Sequence, residues 1–166
     1  MNKKGFTLIE LLIVIAIIGI LATVVMSSLN TARTKGTDAA IKSNLTNLRS
    51  QASIWYDDNG SLYATSGNEF ASSTCPTALS TGNLLEDTKF YTGVSEAYAK
   101  AGGEAFSRCV VTESAWAVAV QLKTSDGDTA PGFDSWCVDS IGSSRAYAYT
   151  SGETIADAID VADACK

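Results

Sequence analysis

One carboxylate stands in an unexpected place: Glu10, set inside a run of Leu, Ile, Val and Ala. An unpaired carboxylate in a membrane-length apolar segment costs about 2.5–3.5 kcal/mol on insertion scales, so such a residue is usually functional and partnered. Glu10 lies four residues after Phe6, on the same helical face and one turn away. A cut before Phe6 would place a new ammonium near the depth of that carboxylate. The ammonium of one copy would then neutralise the carboxylate of another. The remaining reactive groups are Cys75, Cys109, Cys137 and Cys165, all in the polar part of the chain. None forms a C-x-x-C pair, which disfavours zinc and thioredoxin-like chemistry. An even count in an exported head points to two disulfides made in an oxidising compartment. Four cysteines allow three connectivities, and the residues alone do not choose among them.

Other candidate chemistry is thin. There is no histidine, so the commonest general base and the usual triads are missing. No nucleophile–base pair stands out, and no catalytic residue, metal ligand set or cofactor is assigned. Asp126-Gly127-Asp128 with Asp134 offers oxygen ligands for Ca²⁺, but the EF-hand spacing is absent and a solvated hairpin turn explains it more simply. Asn44-Leu45-Thr46 and Asn59-Gly60-Ser61 fit the N-glycosylation pattern, the first in the middle of an expected helix. Tyr147 and Tyr149 are better read as one face of a packed strand than as an electron relay. The net charge is −6, with 12 basic and 18 acidic side chains. Removing Lys3 and Lys4 with the first five residues takes it to −8. Such a surface repels phosphates, so nucleic acid is not expected as a partner of this chain alone.

These groups need elements to hold them. Residues 6–26 are 21 residues with one charge, a helix of roughly 32 Å that matches the bilayer hydrocarbon. Lys3 and Lys4 would keep the N-terminus cytoplasmic and send the rest outward. An ordinary signal peptide has a shorter apolar region and a small-residue cleavage site; here Ala22 is followed by Thr23-Val24-Val25-Met26. Beyond Met26 the pattern turns amphipathic without a stop. Ile41, Leu45, Leu48, Ala52 and Trp55 form one stripe at +4, +3, +4, +3. Asp57-Asp58-Asn59-Gly60 closes the helix. One helix over about 6–56 would be roughly 75 Å long.

Residues 61–83 read as a surface loop, and a short helix is expected around 94–100. Strands are expected at 116–122, 135–139 and 145–150, where Trp116, Val118, Val120 and Leu122 alternate with Ala117, Ala119 and Gln121. Three strands in an antiparallel meander would lie on the striped helix. The expected organisation is 1–5 leader, 6–26 membrane or filament-core helix, 27–60 amphipathic helix and 61–166 globular head.

Lys3-Lys4-Gly5-Phe6-Thr7-Leu8-Ile9-Glu10, with the apolar run after it, resembles the type III signal of type IV prepilins and pseudopilins. The resemblance is close over 1–26, softer to about Tyr56 and architectural beyond. It implies an α+β fold, a long N-terminal helix packed by its C-terminal half under a small antiparallel sheet. It also implies cleavage between Gly5 and Phe6 by a prepilin peptidase, N-methylation of Phe6, and registration of the incoming subunit by Glu10. Glycine at position 5 brings no side chain where a peptidase must approach the backbone.

The partners implied are other pilin subunits, the peptidase/methyltransferase and an inner-membrane assembly platform. The monomer would sit in the cytoplasmic membrane and the polymer outside the cell, serving adhesion, motility or attachment. A pseudopilin of a type II-like secretion or DNA-uptake machine is the alternative, and a non-polymerising membrane-anchored binding module the third. The family's C-terminal disulfide loop implies Cys137 with Cys165, which leaves Cys75 with Cys109. Many members carry a proline just past the apolar stretch. This chain has none there, only Gly19 and Gly36, so the resemblance does not place a bend.

Overall fold

The computed structural model describes Gly5, residues 7–124, 134–160 and 163–166. Leu8–Asp58 form one helix, α1, as the apolar run and the stripe together require. Two compact units divide the chain, Met1–Lys35 and Gly36–Lys166.

The first unit carries the apolar part of the helix. Leu8, Ile9, Ile13, Ile17, Leu21, Val25 and Leu29 are all exposed. Helical hydrogen bonding satisfies the backbone there, while among the described residues these side chains are left without apolar cover.

In the second unit, Ile41, Leu45, Leu48 and Ala52 are buried and Trp55 is packed at the margin. Asn59 Nδ2 donates to the Trp55 carbonyl, and Gly60 and Ser61 take positive φ values of 70° and 65° to end the helix. A second helix, α2 (Thr88–Ala101), starts on Asp87, whose carboxylate accepts the Phe90 N–H at 2.7 Å, and stops at Gly102. Gly93 lets it approach α1: a Cβ there would lie 2.6 Å from Leu48 Cδ2.

Five antiparallel strands make one sheet in sequential order: β1 (Phe70–Ser73), β2 (Ser107–Val111), β3 (Trp116–Gln121), β4 (Ser135–Asp139) and β5 (Ser144–Tyr147). The register pairs Val111 with Trp116 and Val118 with Val138, so these face α1 and α2 together. Val110, Ala117, Ala119 and Cys137 face the other way. They are covered by the C-terminal segment through Ala158, Ile159 and Cys165. Small side chains on this second face let a chain segment lie close against the sheet.

The α+β layout is the expected one, with four corrections. Residues 61–83 are not all loop, because Phe70–Ser73 form an edge strand; its register against β2 is irregular and its sequence half polar, so no alternation marks it. Ser107–Val111 is a strand the pattern missed, since Val110 and Val111 are buried on opposite faces and the run shows no polar side. The second helix is twice the length expected, extending back to Thr88. The last strand stops at Tyr147 rather than Thr150, where the Tyr149 N–H turns in to the buried Asp134 carboxylate at 2.8 Å.

Candidate functional site

The first turn of α1 is built around Thr7 and Glu10. The Thr7 N–H and hydroxyl both donate to Glu10 Oε2, at 2.8 and 2.7 Å, and the Glu10 N–H donates back to the Thr7 hydroxyl at 3.3 Å. This is a reciprocal capping box of the Thr-x-x-Glu type. It holds the carboxylate at the helix start, where the macrodipole favours negative charge. Gly5 is exposed, with open space where a side chain would be. Phe6, Lys3 and Lys4 lie outside the described residues. The capping role of Thr7 was readable in the Thr7-Leu8-Ile9-Glu10 spacing, yet the sequence reading assigned Thr7 none.

In the head, two disulfides hold opposite faces of the sheet. Cys75–Cys109 sits in the core shared with the helices. Cys137–Cys165 pins the C-terminal segment over the other face. Around that second bond, Asp139 is buried and accepts the Ser143 N–H at 2.7 Å and the Cys165 N–H at 3.0 Å. Glu153 completes the closure. Its Oε1 accepts the Tyr147 hydroxyl at 2.6 Å, and its Oε2 the Thr150 N–H at 2.8 Å. Lys166 reaches Glu153 at 3.8 Å. The Tyr147 hydroxyl, the Thr150 N–H and the Thr150 hydroxyl hold the Glu153 carboxyl down at about 2. Burial first, then the hydrogen bond to Glu153 and its charge, pushes Tyr147 up to about 12.

Asp38, like Asp139 and Glu153, is marked by no sequence pattern. It is buried on α1 and accepts the Lys123 N–H at 2.6 Å, the Thr124 N–H at 3.2 Å and the Thr124 hydroxyl. One side chain thus ties the helix to the end of β3.

The remaining candidates are dispersed. Asp126-Gly127-Asp128 lies outside the described residues, while Asp134 is spent on Tyr149. Asn44 is on α1, beside Glu96, and Asn59 caps the end of the same helix. Tyr147 and Tyr149 pack with ring centroids 6.1 Å apart, one bonded to Glu153 and the other buried. Among the described residues no group of three His, Cys, Asp or Glu is placed to hold a metal.

Residues 1–26 match the family described as the prokaryotic N-terminal methylation motif. The chain is 47% identical over 60 residues to the type IV wide pilus major component PilA4 of Thermus thermophilus, a match spanning 36% of this chain and 46% of that protein. It is 34% identical over 103 residues to the fimbrial protein EcpC of Eikenella corrodens, spanning 57% of this chain and 67% of that protein. No solved structure matches it.

Proposed function

This chain belongs to the type IV pilin family, and on that premise we propose that it is the structural subunit of a surface pilus, polymerised through the N-terminal part of α1. The observation that carries the reading is the bare apolar helix: from Leu8 to Leu29 every large hydrophobic side chain recorded is exposed in the single chain. Burying such a surface is worth roughly 1.5–3 kcal/mol for each large side chain. A bilayer supplies that burial for the monomer, and the same helices of other copies supply it in a filament.

In the proposed life cycle, residues 1–5 are a leader removed after Gly5 by a prepilin peptidase, and Phe6 is then N-methylated. The helix spans the cytoplasmic membrane once, with residues 61–166 exported, and an assembly platform draws subunits from the membrane. An exported head agrees with two disulfides. Glu10 accepts the Phe6 ammonium of an incoming copy. In an interface of interchangeable aliphatic side chains this is the directional contact that sets register. Both relatives carry pilus or fimbrial names, which favours a surface fibre over a secretion pseudopilus.

Glu10→Leu tests the reading. The substitution leaves the cut site intact and makes insertion no harder. It strands the Phe6 ammonium without its partner, a loss of about 3–5 kcal/mol for a buried pair. Processed subunits are expected to accumulate in the membrane with few or no filaments. Wild-type filament yield from this variant as sole subunit would overturn the register role.

A further inference from the structure

Along residues 42–88, charge is laid out in two blocks. Lys42 and Arg49 lie on α1 with no acid between Asp38 and Asp57, and the Asp38 carboxylate is occupied by Lys123 and Thr124. From Ser50 to Thr88 there is no Lys or Arg, while Asp57, Asp58, Glu69, Glu86 and Asp87 are all acidic. Arg49 is exposed and, among the described residues, has no ion-pair or hydrogen-bond partner for its guanidinium. It borders a cleft of about 450 Å³ between α1 and the β4–β5 turn, with Thr46, Asn47, Ser50 and Ser140. Gly142, at φ +104°, makes room for the guanidinium: a Cβ there would lie 3.1 Å from Arg49 Nη2. Asp139 also lines the cleft, but it is buried and both its oxygens already accept backbone N–H groups. Asp57 and Asp58 are exposed at the end of α1 and likewise have no partner among the described residues.

We propose that the Arg49 cleft receives the Asp57–Asp58 corner of a second copy of this chain. The inference rests on the chain forming a polymer, and names the partner surfaces of the heads within it. Arg49 and Asp57 are eight residues apart on one helix, about 12 Å along its axis. Two parallel copies displaced by about that distance bring the acidic corner of one level with the arginine of the other. The two patches differ, so the contact is heterologous: in a pair, one copy keeps its acidic corner free and the other its cleft. Such a contact propagates into an open fibre rather than closing a dimer. A guanidinium surrounded by hydroxyl and amide groups can engage a carboxylate bidentately, which gives the contact direction as well as attraction.

The test is charge exchange in the full chain, expressed as sole subunit in cells that assemble it. Export and non-reducing mobility confirm that each variant folds. Arg49→Glu is expected to cut sheared filament yield about tenfold, because it places like charges in contact. Asp57→Lys with Asp58→Lys is expected to do the same. Combining all three substitutions is expected to restore assembly, an outcome that loss of fold would not give. Wild-type yield from Arg49→Glu would overturn the proposal while leaving the polymer intact. Loss of yield without rescue in the triple variant would overturn the named occupant. Absence of filaments from the unaltered chain would overturn the polymeric reading itself.

Discussion

Replacing Asp38 isolates what ties the helix to the sheet. Asp38→Ala removes three hydrogen bonds to a charged acceptor, each worth about 1.5–3 kcal/mol when nothing replaces it. Full additivity overstates the loss, because Lys123 and Thr124 are exposed and their N–H groups can turn to water. Taking the lower end for each bond and allowing for that rehydration leaves about 3 kcal/mol. Asp38→Asn keeps the shape and one acceptor oxygen but loses the charge, and should retain about half of the stabilisation. For a head of about 130 residues, 3 kcal/mol corresponds to a fall in Tm of roughly 10 °C. Thermal unfolding of the full chain in detergent, followed by near-ultraviolet circular dichroism of the buried Trp116, reads this directly. A shift of less than about 2 °C for Asp38→Ala would refute the reasoning, since the carboxylate would then be no more than a tolerated polar group.

Four further outcomes follow from the head. Glu153 has a folded pKa of about 2 against an ordinary 4.5, so its contribution is complete above pH 4.5 and is lost as pH falls toward 2. Protection of the Thr150 amide, measured against its intrinsic exchange rate at each pH, should fall in that window, and Glu153→Gln should abolish the change. Tyr147, held at about 12, gives the opposite limb: its contribution is complete below pH 10 and is lost as pH rises toward 12. Gly93→Val is expected to destabilise by about 1–3 kcal/mol in chemical denaturation, because the new side chain meets the buried Leu48. Paired Cys137→Ser and Cys165→Ser changes should remove about 3–4 kcal/mol and expose Val110, Ala117 and Ala119, seen as proteolytic release of the C-terminal segment.

The sequence spoke clearly where a pattern had one cause. The 21-residue apolar run and the Ile41-to-Trp55 stripe define α1 because length and period follow directly from what each half must touch. Trp116, Val118 and Val120 announce β3 by alternation with smaller side chains. Where a strand is covered on both faces, as at Val110 and Val111, alternation disappears and no polar face marks the strand. The short edge strand Phe70–Ser73 exists through pairing with β2, a contact between residues about 40 positions apart that no local pattern encodes. The same limit hid Asp38 and Asp139. Their partners Lys123, Thr124 and Cys165 come from distant sequence, so a buried carboxylate and a solvated one look alike on paper. Glu10 was legible for the opposite reason, as a charge in a run that otherwise has none, and Thr7 only by applying the capping spacing to the same four residues.

The central claim is that this chain is trimmed before Phe6 and polymerised through the helix that follows. Intact-mass measurement on filaments sheared from producing cells tests it most directly. The account predicts one dominant species that begins at Phe6, carries one added methyl group and lacks four hydrogens for two disulfides. Filaments built from chains that retain Met1 to Gly5, or that start near Ala22, would contradict it.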